Sequence, residues 1–332
     1  MHIVIPDDYQ DAVRQLDCFA QLNAHTVTIY NDSVTDVDAL AERFQDADAL
    51  VLIRERTAIT SALLDRLPKL KVIAQTGRGI PHIDVPACTQ HKIPVLVGGG
   101  SPYSTAELTW ALVLAATRHI PQEVANLKAG RWQREFGIGL HGRTLGIFSY
   151  GNIGKLVANY GRAFGMHVLV WGREGSQARA QADGYATVSS QRELFERADV
   201  LSLHIKLVPE TRGIVTLDDL LAMPPTALLV NTSRADLIAP GALVAALQAG
   251  HPGYTAVDVF ESEPVVDHPL LHMENVVATP HIGYVEKDSY EAYFGAAFEQ
   301  LVRHANGDQH RHPGGSKPDS EGRLQPADGE GS

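Results

Sequence analysis

Three side chains far apart along the 332-residue chain can together hold an anion and move a proton beside it: Arg234, Glu263 and His281. Each follows a short apolar run, in Asn231-Thr232-Ser233-Arg234, Asp258-Val259-Phe260-Glu261-Ser262-Glu263-Pro264 and Thr279-Pro280-His281-Ile282-Gly283. A carbonyl reduced to an alcohol needs a hydride on carbon and a proton on oxygen. An unperturbed imidazole titrates near neutrality, which makes His281 the natural proton donor. Glu263 bonded to the ring would fix its tautomer, and Arg234 would grip a carboxylate and polarise a carbonyl. Singly, each has an ordinary structural reading: a strand-end ion pair, a turn residue, a capped core histidine. In this order, downstream of a glycine turn, the three favour the chemical reading.

That turn lies in residues 144–172, TLGIFSYGNIGKLVANYGRAFGMHVLVWG. An apolar run at 145–148 reads as a buried strand, Leu156, Val157, Tyr160 and Phe164 mark a helix, and 167–171 reads as a second strand. Strand, glycine turn, helix and parallel strand make a right-handed crossover that offers helix N-terminal amides to a pyrophosphate. In the turn Ser149-Tyr150-Gly151-Asn152-Ile153-Gly154, serine replaces the first glycine of the dinucleotide fingerprint. Gly151 still lets a phosphate approach the backbone, and Gly154 lets the helix pack close to the strand. An acidic residue normally ends the second strand and holds the adenosine ribose. Here Gly172 stands there, followed by Arg173 and Glu174. Glycine has no acceptor and Arg173 can pair with a 2′-phosphate, which favours NADP over NAD; the alternatives are that Glu174 reaches the ribose, or that Arg173 stacks on adenine or faces solvent.

The elements that must position these residues follow a βα rhythm. Strands are expected at 2–5, 27–30, 49–53 and 72–75, with helices at 9–22, 37–44 and 61–67, forming a small α/β domain with a parallel sheet. Its fourth strand runs into Thr76-Gly77-Arg78-Gly79-Ile80-Pro81-His82-Ile83-Asp84, where Gly77, Arg78 and Gly79 offer backbone amides to a small carboxylate. Arg54, just after the third strand, points to the same rim; Arg56 either joins it or stays in solvent. Residues 104–116 are apolar almost all round and read as a buried helix, in a core or at a subunit interface. Residues 127–140, with Trp132 and Phe136, read as an arm. After Gly172 come helices at 192–197, 217–221 and 241–247 and strands at 200–204, 227–231, 255–260 and 276–279. A last helix at 286–302 carries Tyr290, Phe294, Ala297, Phe298 and Leu301 on one face and is expected to pack back on the N-terminal domain.

Composition narrows the function. A formal charge of −11 disfavours nonspecific nucleic-acid binding. No apolar run approaches a membrane span, and no secretory or transit pattern opens the chain. Two cysteines, Cys18 and Cys88, fit no metal or disulfide framework, so the expected compartment is the cytoplasm and no metal is expected. From Asn306 the chain is rich in Gly, Pro, Ser and charge, and residues 306–332 read as a disordered tail in which His310 and His312 are solvated.

Over residues 1–304 the chain resembles the D-isomer-specific 2-hydroxyacid dehydrogenases. The matching pieces are the degenerate glycine turn with FGMHV behind it, NTSRAD, AVDVFESEP and TPHIG, together with GRGIPHID. The resemblance implies an α/β protein of two doubly wound parallel-sheet domains. A Rossmann dinucleotide-binding domain (101–284) is inserted into a smaller flavodoxin-like substrate domain (1–100 plus 285–305). It implies reversible NAD(P)-dependent hydride transfer to a small 2-ketoacid, with Arg234, Glu263 and His281 as the catalytic trio. Tyr150, Gly151, Asn152, Ile153, Gly154, Gly172 and Arg173 would bind the cofactor, with Thr232, Ser233, Arg234, Asp258, His281 and Gly283 around the nicotinamide. Arg54, Gly77, Arg78 and Gly79 would bind the substrate, and a homodimer would form through 101–140. Arg54, Arg56 and Arg78 permit a phosphorylated or dicarboxylic substrate without requiring one. Departures from the family pattern are Ser149, Ala235 after the arginine, Gly172, and Lys206 in place of a proline. A corepressor-type nucleotide sensor on the same scaffold, or a formate or phosphite dehydrogenase, is the alternative.

Overall fold

The computed structural model describes residues 1–307, and the expected tail lies outside them from residue 308 on. The chain divides into two compact units, one of residues 1–99 with the segment from Tyr293 onward, the other of Gly100–Ala292. Both have the wholly parallel sheets that the βα rhythm demands.

The first unit contains β1 (His2–Ile5), β2 (Thr26–Ile29), α1 (Val37–Phe44), β3 (Ala49–Leu52), α2 (Ser61–Leu64), β4 (Val72–Gln75), α3 (Val85–Gln90) and β5 (Val95–Val97). Its strand order, β2-β1-β3-β4-β5, is the flavodoxin-like arrangement. Strands β3 and β4 are buried along their whole length, as continuous apolar runs covered on both faces must be. Asp36 and Asp84 cap α1 and α3 by accepting from Ala39 N and Ala87 N at 3.0 Å. The helix expected at 9–22 forms instead as 3-10 turns at Val13–Gln15 and Asp17–Leu22. The Asp8 carboxylate takes the amides of Ala12 (3.1 Å) and Val13 (2.9 Å), and Leu16 is extended between the turns, which stops an α-helix from propagating.

In the second unit α4 (Tyr103–Thr117) and α5 (Ile120–Lys128) precede β6 (Thr144–Phe148), α6 (Asn152–Ala163), β7 (His167–Trp171), α7 (Glu174–Ala182), β8 (Ala186–Thr187), α8 (Gln191–Arg197) and β9 (Val200–Leu203). Then come α9 (Leu217–Leu221), β10 (Leu228–Asn231), α10 (Ala242–Gln248), β11 (Tyr254–Val257), β12 (Val276–Ala278) and α11 (Lys287–Ala305). The order β12-β11-β10-β9-β6-β7-β8 reverses direction between β6 and β9, the switch point where such sheets collect ligands. Helix α4 buries Ala106, Trp110, Val113 and Ala116 in a core with Leu145, Ile147 and Val157. The arm after α5 has no regular structure and leaves Trp132 74% and Phe136 97% exposed.

The division between units falls inside α11. From Tyr293 on, this helix belongs to the first unit, with Phe298 edge-on to Phe19 at 6.3 Å and Leu301 fully buried. Helices α3, α5 and α7 and the short strands β5 and β8 are not among the elements expected from the sequence. No helix among the described residues is long and apolar enough to cross a membrane.

The core of the second unit depends on Phe148, fully buried with its ring 4.9 Å from Trp171 and 6.2 Å from Phe195. Phe148→Ala is expected to lower the unfolding free energy of that unit by about 3–5 kcal/mol in urea denaturation.

Candidate active site

Strand β6 delivers the chain into the glycine turn at its carboxyl end. Ser149 adopts φ +80°, the left-handed conformation a glycine takes without strain, so the serine costs about 1 kcal/mol there. Gly154 is required by contact: a Cβ on it would collide with the carbonyl oxygen of Ser149. Gly151 is the N-cap of α6, and a Cβ there would meet nothing within 4 Å. No side chain caps α6. Open space over uncapped helix amides is what a pyrophosphate needs, so the residues fit a dinucleotide. Asn152 is exposed and Ile153 half-buried beside that opening.

Tyr150, expected at the cofactor, is tied into the protein around the turn. Its ring is buried, its hydroxyl donates to Asp183 at 2.7 Å and its amide donates to Ser176 Oγ at 2.6 Å. Its carbonyl accepts from Arg179 at 3.2 Å. Every polar group of Tyr150 therefore has a protein partner, and the residue braces the turn. Burial together with the Asp183 carboxylate raises its phenol above the ordinary tyrosine value. Gly172 is buried at the end of β7, while Arg173 is exposed and leads into α7.

His204, after β9, also faces the turn, its Cβ lying 3.5 Å from the place a Cβ on Gly154 would occupy. Its Nε2 pairs with Ser202 Oγ at 2.9 Å, and burial pushes the imidazole down to about 3. The ring is neutral at physiological pH and brings no cation to the phosphates.

The trio gathers at the carboxyl ends of β10, β11 and β12. His281 Nδ1 bonds Glu263 Oε2 at 2.6 Å, and Glu263 Oε1 accepts the Phe260 amide at 2.9 Å. Burial raises the Glu263 carboxyl, but the bond to His281, the Phe260 amide and the charge of Arg234 outweigh it and hold the group below its ordinary value. Glu263 is thus ionised and fixed at both oxygens. Arg234 donates from Nη1 to the Ser233 carbonyl at 2.7 Å. Asn231 braces this corner, accepting the Ser233 amide at 3.0 Å and donating to the Arg234 carbonyl at 2.9 Å. Thr232 and Ser233 are turned to structural bonds, with Thr109 Oγ1 at 2.7 Å and the Ile205 carbonyl at 2.9 Å.

Asp258 has no solvent exposure. Its Oδ1 accepts from Thr279 Oγ1 (2.6 Å) and the Ile282 amide (2.8 Å), and its Oδ2 from the Gly283 amide (2.8 Å). Burial raises its carboxyl despite those donors. The pin holds His281 at φ +51°, a conformation disfavoured for a side chain of this size.

In the first unit, Arg54 has φ +54° and its guanidinium lies 5.1 Å over the Tyr293 ring. It also passes so close to Gly77 (φ +95°) that a Cβ there would strike it. Gln75 Nε2 ties the loop together, donating to the carbonyls of Arg54 (2.9 Å) and Gly79 (3.1 Å). Arg54, Gly77 and Gly79 are thereby gathered, while Arg78 is exposed. Arg56 goes elsewhere: it donates to the Asp7 carbonyl at 2.5 Å and stacks over Tyr9 at 4.4 Å. Burial outweighs Glu55 and pushes His82, whose ring nitrogens are enclosed without partners, down to about 4.

Residues 110–283 match the family model described as D-isomer specific 2-hydroxyacid dehydrogenase, NAD binding domain. The D-3-phosphoglycerate dehydrogenase of Methanocaldococcus jannaschii is 39% identical over 274 residues, covering 82% of this chain and 52% of that protein. The chain belongs to the D-isomer-specific 2-hydroxyacid dehydrogenase family. The glyoxylate reductase of Aeropyrum pernix is 36% identical over 282 residues, 81% of this chain and 83% of that one. The crystal structure of a phosphoglycerate oxidoreductase from Vibrio cholerae superposes with a TM-score of 0.91 at 52% identity, covering 92% of this chain and 99% of that chain. This chain spans about half the length of the D-3-phosphoglycerate dehydrogenases it matches.

Within this family fold, sequence reasoning named the trio and the glycines but missed Ser176, Asn231, Gln75 and the neutral His204. The neighbours of Asn231 and Gln75 offered a signal, since both polar residues end apolar strands. Ser176 had none, because the helix that carries it was not anticipated.

Two expectations follow. Gly154→Ala is expected to lower the melting temperature, whereas Gly151→Ala leaves it unchanged and weakens dinucleotide binding, read by calorimetry and cofactor titration. Unfolded His204 takes a proton near the ordinary imidazole value of 6.5, and the folded ring not until about 3. Its contribution is therefore complete above pH 6.5 and is lost as pH falls toward 3. In urea denaturation at pH 7.5 and pH 5, His204→Gln is expected to shrink the acid-induced loss by about 2 kcal/mol.

Proposed function

We propose that this chain is an NAD(P)-dependent D-2-hydroxyacid dehydrogenase that works as a 2-ketoacid reductase. The observation that carries the reading is the 2.6 Å bond between His281 Nδ1 and an ionised Glu263. Glu263 fixes Nδ1 as the donor to its own carboxylate, which leaves Nε2 as the nitrogen that exchanges a proton with substrate oxygen. Arg234, oriented by the Ser233 carbonyl and the Asn231 brace, binds the substrate carboxylate and draws charge toward the carbonyl oxygen. When bound, the nicotinamide supplies the hydride to the carbonyl carbon. His281 then gives its Nε2 proton to the oxygen and recovers one from solvent, and the reverse reaction runs through the same groups. Arg54 with the backbone of Gly77, Arg78 and Gly79 is the proposed substrate-binding surface of the first unit.

The finer cofactor proposal is NADP. No carboxylate ends β7 to hold an adenosine 2′-hydroxyl, and exposed Arg173 stands next in the chain to pair with a 2′-phosphate. The proposed assembly is a homodimer through 101–140, supported by the exposed Leu127, Trp132 and Phe136 on α5 and the arm. A cytoplasmic location completes the reading and is supported by a cysteine content of two, Cys18 and Cys88, too few for a disulfide framework.

The test is a reductase screen with glyoxylate, hydroxypyruvate and pyruvate, run with NADH and NADPH in parallel, with formate and phosphite assayed as donors. Turnover of a 2-ketoacid is expected, with NADPH preferred and kcat/KM falling at least ~100-fold in His281→Ala and Arg234→Ala. Wild-type turnover in either variant removes the assignment. NAD(P)H binding with no turnover of any substrate supports the sensor reading, and oxidation of formate or phosphite the third.

A further inference from the structure

The end of β7 and the glycine turn are cross-linked by one face of α7, and that face bears on which cofactor the turn accepts. Ser176 Oγ accepts the Tyr150 amide at 2.6 Å, Gln177 Nε2 donates to the Gly172 carbonyl at 2.8 Å, and Arg179 donates to the Tyr150 carbonyl at 3.2 Å. The buried residues of α7 are Ser176 and Ala180, one turn apart and both small, which lets the helix lie close against the strand end. A Cβ placed on Gly172 would stand 3.0 Å from Ser176 Oγ, 3.3 Å from Ser176 Cβ and 3.3 Å from Ser149 Cα. Each of those contacts is tighter than ordinary packing, and none of the neighbours is the loose end of a flexible chain. Ser176 cannot swing aside without releasing the Tyr150 amide, and Ser149 is already in a left-handed conformation that needs its surroundings to hold it.

We propose that Ser176 is a specificity-determining residue for the dinucleotide: its hydroxyl, bonded to the turn, fills the slot from which an acidic ribose-binding side chain at position 172 would emerge. Selectivity against a carboxylate at 172 is therefore built into two residues, not one. A substitution at 172 alone pushes on the turn that binds the phosphates, so it harms any dinucleotide. Removing the hydroxyl takes away the shortest of the three contacts, and a carboxylate there can then accept from free ribose hydroxyls while repelling a 2′-phosphate. The inference rests on the reading of the turn as a dinucleotide site.

The test is a double-mutant cycle on the full chain without bound cofactor: wild type, Gly172→Asp, Ser176→Ala and the double variant. Kd values for NADH and NADPH come from fluorescence titration, with circular dichroism melting to establish that each variant is folded. Gly172→Asp alone is expected to weaken both cofactors at least tenfold. Adding Ser176→Ala is expected to restore NADH binding at least tenfold and leave NADPH binding weak, so that the two changes are non-additive for NADH only. Additive effects, or a Gly172→Asp single variant that already gains NADH affinity, overturn the proposal. Should Gly172→Asp not fold, Gly172→Ala enters the same cycle, with NADPH binding expected to fall and to recover when Ser176→Ala is added; no recovery overturns it. Wild-type protein that binds neither cofactor removes the dinucleotide reading and this inference with it, whereas wild-type binding with an additive cycle removes this inference alone.

Discussion

Asp258, at the carboxyl end of β11, is a carboxylate taken wholly out of water, and its two oxygens are the anchor for residues 279–283. A carboxyl group so placed is tolerated only if hydrogen-bond partners replace its hydration. Thr279, Ile282 and Gly283 do that, and in doing so they force the chain between them through the left-handed turn at His281. The imidazole then meets Glu263, itself held by the Phe260 amide. The geometry of the trio thus follows from satisfying one buried carboxyl group, and the strain at His281 is sustained by those bonds.

The glycine turn repeats this logic without a buried carboxyl group. Ser149 is held in a conformation that suits glycine, and α7 supplies the restraint through Ser176 and Arg179. Gly151 leaves open space over the amides of α6, while Gly154 is pressed against the turn's own carbonyl. Two glycines in one motif therefore have opposite roles, one giving access and the other permitting contact. Both sites lie at the carboxyl ends of strands because parallel sheets point helix N-termini and loop amides to that edge.

Much of this was legible before any coordinates. Strands such as 49–52 and 72–75 announce themselves by apolar runs, unbroken over 49–52 and 72–74, since a parallel strand is buried on both faces. Arg234, Glu263 and His281 stood out because each reactive side chain directly follows such a run. The 3-10 turns near the N-terminus were read as a helix because nothing local reveals that the Asp8 carboxylate caps Ala12 and Val13. Helix α7 escaped notice because its buried face consists of Ser176 and Ala180, which leave no apolar stripe. Nor does the fingerprint reveal that the ring of Tyr150 packs 5.7 Å from Tyr185 in the core.

By itself the sequence determined the alternation of strands and helices, the parallel sheets, the glycine turn and the place of a reactive side chain after each of three apolar runs. These are encoded by periodicity and by residue type within a few positions of each other. Only the tertiary structure decided that Asp258 pins the histidine loop, that His204 is neutral beside the turn, and that Ser176 fills the slot at Gly172. Those outcomes depend on burial and on hydrogen bonds between residues many positions apart, and neither quantity exists until the chain has closed on itself.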